Sequence, residues 1–110
     1  MTPSQRKTVR GSRTGRPIMA LLDLLGRRWI LRIVWELRAE GLGFRALQAR
    51  CGGVSPSVLS QRLRDLFDAG IVAQDERKNY RLTPNGGKLL AALVPLHRWA
   101  ENWRKPGPCL

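Results

Sequence analysis

The sequence predicts a mainly helical domain that contains one small β-hairpin. Apolar residues recur at three- and four-residue spacing through most of residues 17–104, which is the helical period. Ser-Pro at 55–56 and Thr-Pro at 83–84 are helix-start signals, because the hydroxyl oxygen can accept a first-turn N–H and proline needs no N–H partner there. Residues 71–83 instead have β-branched and aromatic residues on both sides of a polar turn, which is typical of a hairpin.

The first three helices are expected to be short. Pro17 opens the first and Gly26 ends it. The second runs for about three turns through "RRWILRIVWELRAEG" and ends at Gly41. The third lies in "LGFRALQARC", before the glycines at 52 and 53. The predicted apolar faces are Ile18, Leu21, Leu22 and Leu25 in the first helix, Trp29, Ile30, Ile33, Val34 and Leu37 in the second, and Phe44 and Leu47 in the third.

The fourth helix begins at Ser55-Pro56, stops at Gly70 and has two different faces. Its predicted core face consists of Leu59, Leu63, Leu66 and Phe67, with Val58 at the edge. Its opposite face consists of Ser57, Gln61, Arg64 and Asp68, with Ser60 and Asp65 beside them. Taken alone, this polar face fits an ordinary solvated surface as well as a binding surface.

The hairpin is predicted to turn at "ERKN", and Thr83-Pro84 opens a long final helix. The apolar stripe of that helix consists of Leu89, Leu90, Leu93, His97, Ala100 and Trp103. Pro95 lies inside it and removes one backbone hydrogen bond, so we expect a kink or a division of the helix near Leu93.

The net charge is strongly positive and favours a polyanionic partner. The 110 residues carry 20 Lys and Arg against 8 Asp and Glu, for a formal charge of +12. Residues 1–16 contain five of the basic side chains and no acid, which predicts a flexible basic arm rather than the organelle transit peptide that they superficially resemble. Residues 17–104 form the domain and residues 105–110 a short tail. We expect a nucleic-acid partner.

Other functional classes find little support. Two separated cysteines make no CxxC pair, which indicates reduced thiols in the cytoplasm and no metal site or cofactor. "IMALLDLL" is too short and too polar to span a membrane. A single histidine and no clustered carboxylates leave no acid-base pair, so we expect no enzyme activity.

The order of helices, helix-turn-helix, hairpin and closing helix describes a winged helix-turn-helix domain. The segments "LLDLLGRRWILRIVWEL", "GFRALQARCGGVSPSVLSQRLRDLFDAGIV" and "YRLTPNGGKLL" resemble the HxlR-type bacterial transcriptional regulators, which are relatives of the MarR group. The resemblance covers about residues 17–103 and is strongest at Gly26 with Arg28-Trp29, at "SPSVLSQRLRDL", and at Tyr80-Arg81-Leu82-Thr83 with Gly86.

The resemblance implies a homodimer that pairs through its first and last helices. The interface residues would be Leu21, Leu22, Leu89, Leu93, His97, Trp99 and Trp103. The last helix also suggests an interface by itself, since its large apolar residues exceed what a small core needs, although packing onto its own domain is the alternative. His97 is expected to be an ordinary interface or core histidine, with pH sensing a second alternative.

The resemblance also implies that the fourth helix enters the DNA major groove. Ser57, Ser60, Gln61 and Arg64 would then face base edges or nearby phosphates. Arg62 lies at the border of the apolar face, where a phosphate clamp and an internal salt bridge are the alternatives.

Two departures from the family pattern stand out. Redox-sensing members resemble one another in a cysteine before the proline that opens the first helix, but Arg16 stands there in this chain. Cys51 remains a candidate thiol switch, with a buried core residue the favoured alternative, and Cys109 is expected to be exposed.

The hairpin is shorter than the family's usual wing and carries the acids Asp75 and Glu76. Arg77 and Lys78 at its tip, and the basic arm with Arg13 and Arg16, are therefore predicted to supply DNA contacts.

The resulting prediction is a sequence-specific regulator that binds an inverted-repeat operator in double-stranded DNA, with repression favoured over activation. A nonspecific nucleoid-type DNA-binding protein and a partner-dependent regulator are the alternatives. No residue identifies an effector.

Overall fold

The computed structural model describes residues 15–103 and shows a mainly helical domain with one antiparallel hairpin. The predicted tail, and most of the predicted arm, lie outside the described residues. The elements in chain order are α1 (Pro17–Leu25), α2 (Ile30–Glu36), α3 (Phe44–Cys51), α4 (Pro56–Asp68), β1 (Val72–Gln74), β2 (Tyr80–Leu82) and α5 (Pro84–Trp103). This is the order of a winged helix-turn-helix domain, in which the wing is the β1–β2 hairpin.

The core lies between α2, α3, α4 and the wing. Its least exposed large side chains are Ile30, Ile33, Val34, Leu47, Leu59, Leu66 and Val72. Helix α1 contributes no buried residue, and α5 contributes only Gly86. Leucines of these two helices pack against the core but remain partly exposed. Both terminal helices therefore lie at the surface of a core that the middle of the chain builds.

Helix α2 is shorter than predicted. It has seven residues, about two turns, and ends at Glu36 with Leu37 as its C-cap, instead of reaching Gly41. A turn and a bend follow this helix, and Leu42 then forms a β-bridge with Tyr80 in the wing. Leu42 N donates to Tyr80 O at 3.0 Å, and Tyr80 N donates to Leu42 O at 2.7 Å. Trp29, which was predicted to lie within the helix, precedes it with a left-handed backbone at φ 79°.

The predicted bounds of α4 are confirmed. The Ser55 hydroxyl accepts the backbone N–H of Val58 at 3.2 Å, and Gly70 adopts φ 76° just after the helix. The predicted core face is correct for its three leucines and wrong for Phe67, which is 61% exposed. Phe67 lies about 80° around the helix from Leu59, in the last turn, and so falls beyond the edge of the core.

The hairpin is confirmed, with Val72 opposite Leu82, Ala73 opposite Arg81 and Gln74 opposite Tyr80. It leads directly into α5 through Thr83, whose hydroxyl accepts the N–H of Gly86 at 2.9 Å. Of the two expected effects of Pro95, the division of α5 near Leu93 is wrong, since one helix of 20 residues continues through Pro95, and the kink stays a prediction. Proline lacks one backbone N–H, and the residues on both sides keep the helix continuous.

Candidate nucleic-acid interface

The polar face of α4 is open to solvent. Ser57, Ser60, Gln61 and Arg64 are all exposed, whereas the leucines on the other side of the same helix are buried. Arg64 forms no ion pair within residues 15–103. Because packing, the Ser55 cap and Pro56 hold the helix in place, these four side chains are presented on a rigid element.

Arg62 makes internal contacts. Its Nε donates to the carbonyl oxygen of Arg28 at 2.8 Å, and its Nη1 lies 3.5 Å from Oδ2 of Asp65. The internal salt bridge, one of the two sequence alternatives, is therefore present. Arg27 adds a second guanidinium 3.2 Å from the same Oδ2 atom, and the Asp65 side chain is only 12% exposed. These contacts attach the turn between α1 and α2 to the middle of α4.

The wing is closed by Asp75. One carboxylate oxygen accepts the backbone N–H groups of Arg77 and Asn79 at 2.8 and 3.0 Å, and the other accepts Nε of Arg81 at 2.7 Å. The Arg81 hydrogen bond, followed by the backbone hydrogen bonds, lowers the pKa of Asp75. Asp75, which was predicted to lie where DNA would approach, thus stabilises the turn and is paired with the Arg81 guanidinium.

The wing tip remains basic on its outer side. Arg77 and Lys78 are exposed, and neither side chain forms an ion pair within the described segment. Lys78 has φ 66°, a left-handed backbone that the tight turn requires. Of the two predicted arm residues, Arg16 is exposed just before α1, and Arg13 lies outside the described residues.

Sequence reasoning missed Arg45. It is exposed in the first turn of α3 and lines an open cleft of about 500 Å³ together with Phe44, Gln48, Ala49 and Pro56. The cleft brings the start of α3 beside the start of α4. A basic residue in the first turn of the helix before the turn was the available clue, since that helix crosses the DNA backbone in helix-turn-helix proteins.

Several apolar side chains of the two terminal helices are exposed. Leu22 is 53%, Trp99 59% and Trp103 63% exposed, and the two indoles stack with centroids 5.7 Å apart. The other predicted interface leucines, Leu21, Leu89 and Leu93, are partly buried.

A second feature of this region joins α2 to α5. The His97 ring stacks on Trp35 at 4.8 Å between centroids, and His97 Nε2 lies 3.3 Å from Oε2 of Glu101. Beside this stack, an apolar groove of about 380 Å³ runs between the two helices. An apolar groove on α5 and several apolar side chains of both terminal helices are thus uncovered.

Cys51 lies at the end of α3 with 3% exposure. Burial raises the pKa of its thiol, and Arg32 opposes this increase only in part. Both properties favour the core interpretation over a thiol switch.

Two further findings limit the alternatives for residues 15–103. No His, Cys, Asp and Glu side chains there form a group of three that could hold a metal ion. Nor does any helix there combine the length and the hydropathy needed to cross a bilayer.

Comparison with known proteins agrees with this architecture. A family model described as HxlR-like helix-turn-helix matches residues 24–108. The helix-turn-helix-type transcriptional regulator YvaP of Bacillus subtilis is 33% identical over 91 residues, which cover 77% of this chain and 84% of YvaP. A regulator of the same type from Mycobacterium bovis, Mb3122, is 36% identical over 102 residues, which cover 86% of this chain and 64% of that protein.

Solved structures show the same fold. The reduced form of the transcriptional regulator YodB from B. subtilis superposes with a TM-score of 0.73 at 28% identity and covers 84% of this chain and 97% of YodB. A MarR-family regulator from Enterococcus faecalis superposes with a TM-score of 0.73 at 25% identity, and the match covers 96% of this chain and all of the E. faecalis chain. These relatives are transcriptional regulators and not enzymes. The chain belongs to the HxlR-like helix-turn-helix family of transcriptional regulators.

Proposed function

We propose that the chain acts in the cytoplasm as a homodimer that binds an inverted repeat in double-stranded DNA and represses transcription by covering a promoter. Each subunit would place its α4 in the major groove, with two half-sites about one helical turn apart or a multiple of that. Repression is preferred to activation because it needs no surface besides the DNA-binding one.

The observation that carries the proposal is the exposed polar face of α4. Gln61 and Arg64 are side chains that can make two hydrogen bonds to adenine and guanine, respectively, and the two serines that precede them can bond to either a base or a phosphate. None of the four is needed for the core, since Leu59, Leu63 and Leu66 supply the packing of this helix.

Phosphate contacts would come from basic residues around α4. Arg45 lies beside the start of that helix, and Arg77 and Lys78 lie at the wing tip. Arg13 and Arg16 would add contacts from the arm. Such contacts fix the orientation of a protein on the duplex without selecting a sequence.

Homodimerisation is supported by the terminal helices. They contribute only Gly86 to the buried residues, yet they expose Leu22, Trp99 and Trp103. A second copy is the partner that the proposal requires, because an inverted repeat is read by two identical subunits.

The proposal is tested by measuring affinity for the promoter region of the chain's own gene and for a random duplex of equal length. If ~6 to 10 phosphates are contacted, both affinities should fall by about three to five decades between 50 and 200 mM salt. A preference for the promoter region of about a thousandfold that persists at the higher salt is expected. Random-sequence selection supplies the operator if that region is not the target.

The double variant Gln61→Ala, Arg64→Ala should lose at least about tenfold in affinity for the selected site. Lys88→Ala is the matched control for lost charge, because Lys88 is exposed on α5 and forms no ion pair within residues 15–103. It should keep the sequence preference of the unaltered protein.

Other outcomes would contradict the proposal in distinct ways. Equal, steeply salt-dependent affinity for every duplex would indicate a nonspecific nucleoid-type protein. Unchanged specific binding by the double variant would favour a partner-dependent regulator. Removal of residues 1–15 without any change in affinity or salt dependence would exclude a DNA-binding role for the part of the arm that carries Arg13.

A further inference from the structure

The side chain of Gln61 makes a hydrogen bond along the surface of α4. Its Nε2 donates to Oδ1 of Asp65 at 3.1 Å, one helical turn further along the same face. An ionised carboxylate only accepts hydrogen bonds, so the nitrogen end of the amide must face Asp65. The oxygen end, Oε1, makes no hydrogen bond within residues 15–103.

Asp65 is itself held in place from the other side. Its Oδ2 atom lies 3.2 Å from Nη1 of Arg27 and 3.5 Å from Nη1 of Arg62. Arg62 is fixed in turn by the carbonyl oxygen of Arg28, and the Asp65 side chain is only 12% exposed. Two guanidinium groups therefore hold one carboxylate oxygen while the other remains directed to Gln61.

This arrangement has a chemical consequence for base recognition. Adenine and cytosine present an amino group in the major groove, whereas guanine and thymine present carbonyl oxygens at the corresponding place. A glutamine whose oxygen is presented outward can accept a hydrogen bond from an amino group, and it meets a carbonyl oxygen with repulsion. A glutamine that can turn over would accommodate either kind of base.

We propose that Asp65 is a specificity-determining residue, which holds the Gln61 amide so that its oxygen selects an amino base at one position of each half-site. Adenine is the preferred base, because the second Nε2 hydrogen remains available for adenine N7. The inference rests on the proposed function. It assigns to Asp65 a positioning role and not a contact with DNA.

The test begins with the site selected by the unaltered protein. The position that Gln61 contacts is the one at which Gln61→Ala abolishes base preference. Affinities are then measured for the four bases at that position with the unaltered protein, Asp65→Ala and Asp65→Asn. Asp68→Ala is the matched control, because it removes the same charge from an exposed position of α4 that has no ion pair within residues 15–103.

The unaltered protein should prefer adenine over guanine by roughly 5- to 150-fold. In Asp65→Ala the adenine-to-guanine affinity ratio should fall to about threefold or less. Base preferences at the other positions of the site, and the slope of affinity against salt concentration, should match those of Asp68→Ala. Asp65→Asn keeps the size of the side chain but can donate as well as accept, so its ratio should also fall. Circular dichroism at the assay temperature identifies which variants are folded. If Asp65→Ala is not folded, the comparison is made with Asp65→Asn alone.

If Asp65 had a purely structural role, its variants would show lower thermal stability and lower total affinity but an unchanged adenine-to-guanine ratio. That result would overturn the inference and leave the proposed function standing. A guanine or thymine preference at the Gln61 position would also overturn it. Equal binding of all duplexes by the unaltered protein would overturn the proposed function and this inference with it.

Discussion

Asp75 and Arg81 pair across the wing, with Nε of Arg81 2.7 Å from Oδ2 of the carboxylate. Arg81 belongs to β2 and Asp75 directly follows β1, so the contact joins the two sides of the hairpin. The other carboxylate oxygen accepts two backbone N–H groups of the turn. In a hairpin with only three residues in each strand, this one side chain supplies much of the closure.

Replacing Asp75 by alanine should loosen the wing. The backbone N–H groups of Arg77 and Asn79 lose their acceptor, so their hydrogen exchange should become faster than in the unaltered protein. Glu76→Ala is the control, since Glu76 is an exposed neighbouring acid without such hydrogen bonds within residues 15–103. Equal exchange in the two variants would contradict this role of Asp75.

The same carboxylate gives the wing a defined pH dependence. The pKa of Asp75 is lowered in the folded chain, so its stabilising contribution is present above the usual range of an aspartate pKa. That contribution is lost as pH falls through the lowered folded-state value. Melting temperatures between pH 7 and pH 2 should fall less in Asp75→Asn than in the unaltered protein, and a parallel decline would show that Asp75 does not contribute.

Gly86 and Gly87 should respond oppositely to alanine. A Cβ atom on Gly86 would overlap the carbonyl oxygen of Ile71, which cannot retreat easily because it accepts the N–H of Thr83 at 2.9 Å. Gly86→Ala should therefore cost about 1–3 kcal/mol in the free energy of unfolding. Nothing lies within 4 Å of a Cβ on Gly87, so Gly87→Ala should be neutral or stabilise by up to ~1 kcal/mol. Urea unfolding measures both, and equal effects would contradict the close approach.

The exposed tryptophans of α5 should control assembly. The double variant Trp99→Ala, Trp103→Ala is expected to weaken dimerisation by at least about tenfold, because large aromatic residues dominate such interfaces. Phe67→Ala removes an equally exposed aromatic ring from the end of α4 and should leave the association constant unchanged. Sedimentation equilibrium measures both, and a monomeric unaltered protein would exclude the proposed dimer.

Cys51 should react slowly with thiol reagents. In a Cys109→Ser variant Cys51 is the only thiol of the chain, and its 3% exposure and raised pKa both lower the amount of accessible thiolate. Modification at pH 7 should be at least ~tenfold slower in the native protein than in urea. Equal rates would restore the thiol switch as an alternative.

Local backbone chemistry explains why much of the fold could be predicted. Ser55 and Thr83 each accept a first-turn N–H as their sequence positions suggest, and Gly70 takes the left-handed backbone that ends α4. These are interactions between residues close in sequence, and the residue types alone favour them. The apolar period assigned the core correctly for Ile30, Ile33, Val34 and Leu37 of α2 and for the three leucines of α4. It is wrong for the face of α1, where Ile18 and Leu22 are about half exposed and no residue is buried.

The errors arose from contacts between distant residues. Helix α2 ends at Glu36, and Leu42 then pairs with Tyr80 of the wing, a contact between residues far apart in sequence that nothing local to α2 indicates. The contact of Asp65 with Arg27 depends on how α4 packs against the turn after α1, whereas Arg62 is only three residues away on the same helix. The helical period placed Gln61 and Asp65 on one helix face, but the contact of the second Asp65 carboxylate oxygen with Arg27 arises only in the tertiary fold.

The bridge between Leu42 and Tyr80 also gives the domain a mechanical property. Leu42 lies only two residues before α3, so the wing is fastened by a pair of backbone hydrogen bonds to the segment that enters the helix-turn-helix. A tilt of the hairpin would pull directly on α3, and through it on the turn that leads to α4. The two backbone hydrogen bonds therefore limit changes in the distance between the wing and α4. In the proposed dimer, adaptation to differently spaced half-sites would then come from movement between the two subunits.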